Sequence, residues 1–289
     1  MTEFGEFAFQ VAGDVRLCVE ARGEREKPAL LLIGGATWSM DWWDDEFCQQ
    51  VADRGRRVVR YDQRDTGCST SYPTGSPGYT GAHLMSDAIA VLDELGIKRA
   101  HVVGLSMGGG IAQRMACERP DRVATVTLIA TTPIDAEITD LPGPTPEIRA
   151  TFSNGVPEPD WKDRESVVEY IVEGERPYAG PNEFDEERMR RLAGHVFDRT
   201  SNIAASMTNH FLLEDGGTQP HRMSQLSGVP ALILHGTSDP LFPLQHGERL
   251  ASSIPGARLV VLDGMGHQFP PQRFWNQVVD AILEHTEEC

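Results

Sequence analysis

Three short segments of this sequence carry residue types that together could do chemistry. In Ala100-His-Val-Val-Gly-Leu-Ser-Met-Gly-Gly-Gly110 an apolar run leads to a serine with Gly104 and Gly108 two positions to either side, and then into a helix-forming stretch. A strand that turns sharply into a helix holds such a serine in a strained conformation with its hydroxyl exposed, and the glycines let the turn close without clashes. Ser106 then stands at a helix N-terminus, where the N–H of Met107 can point at a developing oxyanion with help from the helix dipole. Alone the pattern is weak, because Gly and Ser recur in ordinary turns. Its weight comes from His235-Gly-Thr-Ser-Asp239-Pro240 and Asp263-Gly-Met-Gly-His267, each just beyond a further apolar run. The first puts a carboxylate at the carboxyl edge of the sheet, where open α/β folds bind ligands. The order Ser, acid, His makes Ser106 a nucleophile, His267 its general base and Asp239 the group that orients the imidazole.

Each residue also suits an ordinary structural role. Asp239 before Pro240 fits a turn or a helix cap, and His267 fits a satisfied loop histidine. Of the nine histidines, however, only His267 falls on a loop after the final strand. Asp135, just after the strand that ends near Ala130, is an alternative acid.

The elements that must position these groups can be read from periodicity. Phe7 to Val11 and Val15 to Glu20 alternate around Ala12-Gly13-Asp14, which predicts an antiparallel hairpin. Ala29 to Ile33 is continuously apolar and ends at Gly34-Gly35, as expected of a strand buried on both faces. Helices near 44–54, 83–95 and 107–118 then alternate with strands at 57–61, 100–105 and 123–130, a βαβ pattern that predicts a mostly parallel sheet with flanking helices. The rhythm breaks at Pro133. From there to Gln225 no long apolar strand occurs, nine of the nineteen prolines fall, and helices are predicted at 166–173, 183–198 and 202–213. Strands resume at 231–235 and 258–262, with helices at 246–253 and 274–285. The expected organisation is a core of residues 1–132 and 226–289, split by a helical cap at 133–225.

Composition limits the partners. A net charge of −17 disfavours nucleic acid and anionic membrane surfaces, whose affinity comes from Lys and Arg. At 40% hydrophobic and 24% charged residues the chain is ordinary globular material, with no run near the ~20 apolar residues of a spanning helix. The start of the chain has no basic and apolar leader, so a cytoplasmic location is expected. Five scattered cysteines (Cys18, Cys48, Cys68, Cys117, Cys289) point to reduced thiols, and no spacing suggests a metal or cofactor. The cap is the more acidic region, with 18 acidic and 9 basic residues. Solvation of exposed helices accounts for that bias, and electrostatic focusing of a cationic substrate, such as one bearing an amino sugar, is a second consequence.

Through LLIGG, RYDQRDTGCS, GLSMGG, HGTSDP and GMGH the chain resembles the α/β-hydrolase family over essentially its whole length. Within it the segments look most like the aclacinomycin methylesterase group, serine esterases that tailor anthracyclines. The resemblance implies the α/β-hydrolase fold and a second oxyanion donor after the glycine-rich turn, which falls on the N–H of Ala36, with Gly35 as the neighbour to check. Gly34 stands where the family usually has His. Trp38 and Trp43 follow this turn and are pocket candidates with Tyr170, Met207 and Phe211 of the cap. The charged stretch Arg60 to Ser69 reads as a brace for loops behind the site.

These readings predict a cofactor-free serine hydrolase, a monomer or homodimer, that cleaves a carboxylic ester of a small molecule, bulky and of polyketide or amino-sugar type. A serine nucleophile excludes epoxide hydrolases and haloalkane dehalogenases, which need a carboxylate there. Macrolide-ring esterases, C–C bond hydrolases, proline iminopeptidases, perhydrolases and non-catalytic small-molecule receptors share the triad and stay open.

Overall fold

The apolar runs become strands and the amphipathic ones helices in the computed structural model, which describes residues 5–11, 13–154, 157–217 and 220–287. Ala12 of the expected hairpin turn and Cys289 lie outside the described residues. Among the described residues eight strands form one sheet: β1 (Gly5–Gln10), β2 (Arg16–Arg22), β3 (Ala29–Ile33), β4 (Arg57–Tyr61), β5 (Ala100–Leu105), β6 (Val123–Ile129), β7 (Ala231–Gly236) and β8 (Arg258–Leu262). Their order is β1-β2-β4-β3-β5-β6-β7-β8, antiparallel at the first two pairings and parallel through the rest.

Strands β3, β4, β5 and β7 are buried throughout because both faces are covered. Leu31 pairs in register with Val59 and Val102. Along β3, Leu31 and Ile33 enter the core on one face while Leu30 and Leu32 enter that on the other, the two-residue alternation of a strand. Helices α1 (Asp45–Asp53) and α9 (Trp275–Glu287) cover one face, with Phe47, Val51, Val278 and Ile282 buried. On the other lie α2 (Gly81–Glu94), α3 (Met107–Glu118) and α8 (Gln245–Ser253), which bury Leu84, Ile111 and Leu250.

Between β6 and β7 the chain leaves the sheet for α4 (Pro146–Asn154), α5 (Arg164–Glu175), α6 (Glu186–Arg199) and α7 (Ile203–Thr208). Helix α4 escapes the sequence reading because Pro142, Pro144 and Pro146 crowd its start, yet a proline at the first helical position costs no hydrogen bond. The helix expected over 202–213 is shorter: α7 stops at Thr208 and a 3₁₀ turn follows, Asn209–Leu212. Val167 and Ile171 of α5 and Val196 of α6 join the same apolar cluster as Trp38 and Trp42, so this segment is seated on the end of the sheet that carries the loops after β3.

Candidate active site

Ser106 sits where β5 turns into α3, with φ of 52° and ψ of −118°, a region that a non-glycine residue enters only under strain, at a cost of about 1–3 kcal/mol. Its N–H donates to the Ile129 carbonyl, 3.0 Å, and its own carbonyl accepts from Thr131 Oγ1, 2.8 Å, so the end of β6 and the residues just after it fix the strained residue on both sides. The two flanking glycines permit the turn. A β-carbon on Gly104 would overlap the Gly108 carbonyl, and one on Gly108 would overlap that of Ile33.

The loops after β7 and β8 bring the acid and the base to this serine. His267 Nε2 lies 2.9 Å from Ser106 Oγ, and its Nδ1 lies 2.9 Å from Asp239 Oδ2. The other oxygen of Asp239 accepts the N–H groups of Leu241, 3.0 Å, and Phe242, 2.8 Å, a local turn that aims the carboxylate. Burial alone would raise this carboxyl, but the charge and hydrogen bond of His267, aided by His235 and the Phe242 N–H, hold it below the usual carboxylate range. Asp239 is thus an anion beside Nδ1, so Nδ1 carries the proton and Nε2 is free to accept one from the serine. Asp135 takes no part: it accepts from Arg222, 3.0 Å, and from the N–H groups of Glu137 and Met223, away from His267.

Opposite the serine runs the turn after β3. A β-carbon on Gly35 would stand 3.6 Å from Ser106 Cβ. Among the described residues neither the Ala36 nor the Met107 N–H has a hydrogen-bond acceptor, as expected for Met107 in the first turn of a helix. Gln63 Nε2 donates to the Gly34 carbonyl, 3.1 Å, and the Gly35 carbonyl, 3.4 Å. The stretch around Gln63 is a brace. Arg64 and Asp87 form a buried two-bond ion pair at 2.7 and 2.8 Å, Asp62 accepts from the Met40 N–H, 2.8 Å, and Arg60 pairs with Glu20.

A cavity of about 1000 Å³ opens at the residue after His267, and Ser106, Asp239 and His267 are not among its lining residues. Its wall includes Trp38, stacked on Trp42 with ring centroids 4.7 Å apart, together with Gln268, the neighbour of His267, and Glu175 from the end of α5. Burial pushes the Glu175 carboxyl up to about 7, opposed by the charge of His267. The other pocket candidates lie elsewhere. Trp43 is 1% exposed and meets Phe269 edge-on, a core residue rather than a cavity wall. Phe211 is 71% exposed, because in the 3₁₀ turn after α7 Asn209 and His210 take the inward positions and the next side chain points out. Tyr170, edge-on to Trp161, and Met207 are half-buried against the apolar cluster on the α1/α9 face of the sheet.

For a metal, one cluster among the described residues has suitable types: Glu6, Cys18, Asp62 and Cys68, with candidate ligand atoms within 4.8 Å of one another. The Arg199 guanidinium already supplies the positive charge there, 2.7 Å from both Glu6 and Asp62. No helix among the described residues is long and apolar enough to cross a membrane.

The sheet order, the strained serine at the β5–α3 turn and the bonded Asp–His–Ser row define a class of protein, and comparison with known proteins agrees. Residues 28–165 match the family model described as α/β hydrolase fold, and residues 192–287 match one described as TAP-like protein. The chain belongs to the α/β hydrolase fold family. Among its relatives are two rhodomycin D methylesterases, from Streptomyces sp. (strain C5) and Streptomyces peucetius, 33% and 32% identical, each match covering 94% of this chain and 95% of the relative. Among solved structures, the 2-hydroxy-6-oxo-6-phenylhexa-2,4-dienoate hydrolase of a Rhodococcus shares the fold, with a TM-score of 0.73 at 21% identity over 99% of this chain and 100% of that one.

Three neighbours of the site escaped the sequence reading: Glu175, Ser206 and His210. None bears a local signal. His210 contacts a residue 173 positions away, and Glu175 is one of many acidic residues on helices.

Proposed function

We propose that this protein is a cofactor-free serine hydrolase of carboxylic esters, with Ser106, His267 and Asp239 as its triad and residues 133–225 as a helical cap over the site. The observation that carries the reading is the row of two 2.9 Å contacts, Asp239 to His267 and His267 to Ser106, ending on a serine in a strained turn. Ser106 Oγ attacks the ester carbonyl while His267 Nε2 takes its proton. The N–H groups of Met107 and Ala36, at the positive end of α3 and in the turn after β3, receive the oxyanion. His267 then protonates the departing alcohol. Water, losing its proton to the same nitrogen, releases the acid from Ser106. Asp239 keeps the imidazole in register and stabilises the imidazolium without accepting its proton.

The relatives named as methylesterases support a methyl ester of a bulky, polyketide-like molecule as substrate. The acidic bias of residues 133–225, 18 acidic against 9 basic, supports a positively charged substituent on that substrate. Unpaired Cys18, Cys48, Cys68 and Cys117 fit a reducing compartment such as the cytoplasm, and the charge of −17 argues against nucleic acid or an anionic membrane as partner. A monomer or homodimer is the simplest working form.

The test is Ser106→Ala assayed with p-nitrophenyl acetate and a polyaromatic methyl ester. We expect steady turnover by the wild type and a loss on the order of 10⁶-fold in kcat in the variant, with an unchanged melting temperature. A variant that still turns over removes the assignment. A wild type that gives one slow acylation and stops is a receptor rather than an esterase.

A further inference from the structure

Ala36 is followed by Thr37, which has φ of 69°, a left-handed conformation that a β-branched residue adopts only when its surroundings enforce it. The enforcing groups come from the far end of the inserted segment. His210 Nδ1 accepts the Thr37 N–H at 2.9 Å, and Ser206 Oγ donates to the Thr37 carbonyl at 3.2 Å. These side chains are four residues apart, at the end of α7 and in the turn after it, and both are buried. The second nitrogen of His210, Nε2, lies 2.9 Å from the Arg64 carbonyl and donates to it. With one nitrogen accepting and the other donating, the imidazole is held as a single neutral tautomer. Its anchor is firm, since Arg64 is locked to Asp87 by two buried bonds.

We propose that Ser206 and His210 are positioning residues for the oxyanion hole: gripping Thr37 by its N–H and its C=O, they set the direction of the Ala36 N–H. The geometry follows from peptide planarity. The Thr37 N–H lies in the peptide plane that leaves Ala36, and His210 fixes that plane. The Ala36 N–H shares its plane with the Gly35 carbonyl, which Gln63 holds from the core. Both planes around Ala36 are therefore clamped, one by the core and one by the inserted segment, so the donor is aimed only when α7 is docked. Burial keeps the His210 ring below its usual pKa, which preserves the tautomer that accepts from Thr37. The inference rests on Ala36 being an oxyanion donor in the proposed serine mechanism.

The experiment compares His210→Gln, His210→Asn, Ser206→Ala and Ser106→Ala in the full chain, using p-nitrophenyl acetate turnover and inhibition by a trifluoromethyl ketone, which forms a hemiketal oxyanion on the serine. Asn places its carbonyl oxygen near the position of Nδ1 and can still accept from Thr37, whereas Gln reaches only the position of Nε2. We expect His210→Gln to lose about 10- to 100-fold in kcat, with KM within about threefold and inhibitor binding weakened by a similar factor. His210→Asn should recover to within about threefold of wild type, although both substitutions lower the melting temperature alike. Equal kcat for the Gln and Asn variants, or a loss confined to KM with inhibitor binding intact, overturns the proposal. If the His210 variants do not fold, Ser206→Ala decides: a kcat loss of about three- to tenfold supports the grip on Thr37, and an unchanged kcat refutes it. Persistent turnover by Ser106→Ala would instead overturn the serine mechanism, so the two failures are distinguishable.

Discussion

The turn that presents Ser106 and the turn that presents Ala36 face each other across the site but are built on opposite plans. The serine's turn is assembled from the sheet beside it: Gly104 and Gly108 make room, α3 begins at once, and the end of β6 and the residues just after it supply Ile129 and Thr131 as partners. The Ala36 turn draws on the inserted segment as well as the core. Gln63 holds its Gly34 carbonyl from 29 residues away, and Ser206 and His210 hold Thr37 from 169 and 173 residues away. The His267 loop belongs with the second kind, because its N–H donates to the Tyr178 carbonyl of the inserted segment at 2.7 Å. The difference separates two dependences within one site. Under the proposed mechanism the nucleophile would be prepared by the sheet, while the oxyanion donor and the base would be aligned only with the inserted segment seated, so that a lid could gate chemistry without carrying a reacting group.

Four substitutions and one control, the four taken from the largest effect to the smallest, bear on this contrast. On the locally built side, Asp239→Asn should lower kcat by about 10⁴-fold with little change in melting temperature, since the amide leaves the wrong imidazole tautomer facing Ser106. Asp135→Asn is its control and should stay within about twofold of wild type; the reverse ranking in a kcat assay would move the acid to Asp135. Gly108→Ala attacks the turn itself. Its methyl would press on the Ile33 and Gly34 carbonyls, and we expect both a kcat loss of about 100-fold and destabilisation by about 1–3 kcal/mol in chemical denaturation. A variant as stable and active as wild type would show that the turn tolerates what its packing forbids.

On the distantly built side, Gln63→Leu releases the Gly34 and Gly35 carbonyls and should lower kcat about tenfold at unchanged KM, a smaller loss because His210 and Ser206 still hold the next residue. A loss as large as that of Gly108→Ala would erase the distinction between the two turns. The smallest effect is on stability. The Glu175 carboxyl is raised from 4.5 to about 7, so between those values the folded chain keeps a proton that the unfolded chain has released. Stability therefore falls as pH rises through that window and levels off above it. Glu175→Gln should remove this contribution, so its melting-temperature advantage over wild type grows from about pH 5 to about pH 8. An advantage equal at both pH values would count against it.

The limits of sequence reading follow the same division. Strands β3, β4, β5 and β8 fall where their apolar runs predict, as does α3, because each is specified by side chains that are neighbours in the chain. The Ser106, Asp239 and His267 turns are legible for the same reason, each following directly on a strand. The pocket expectations fare worse. Trp43 and Phe211 stand out in the sequence by aromatic character and position, but a tryptophan after a turn can point to either side of it, and the change from α to 3₁₀ winding at Asn209 rotates Phe211 out to solvent. Helical periodicity cannot register a change of winding that tertiary hydrogen bonds impose, here those of Asn209 with Asp65 and of His210 with Thr37.

By itself the sequence determined the sheet, the serine's turn and the order in which Ser106, Asp239 and His267 arrive at one edge, since local apolar patterning and glycine placement specify all three. Only the tertiary structure decided which side chains aim the oxyanion turn, which aromatics face the cavity and that Asp239 rather than Asp135 meets His267. Those outcomes depend on contacts between segments far apart in the chain, and nothing within either segment encodes the other's position.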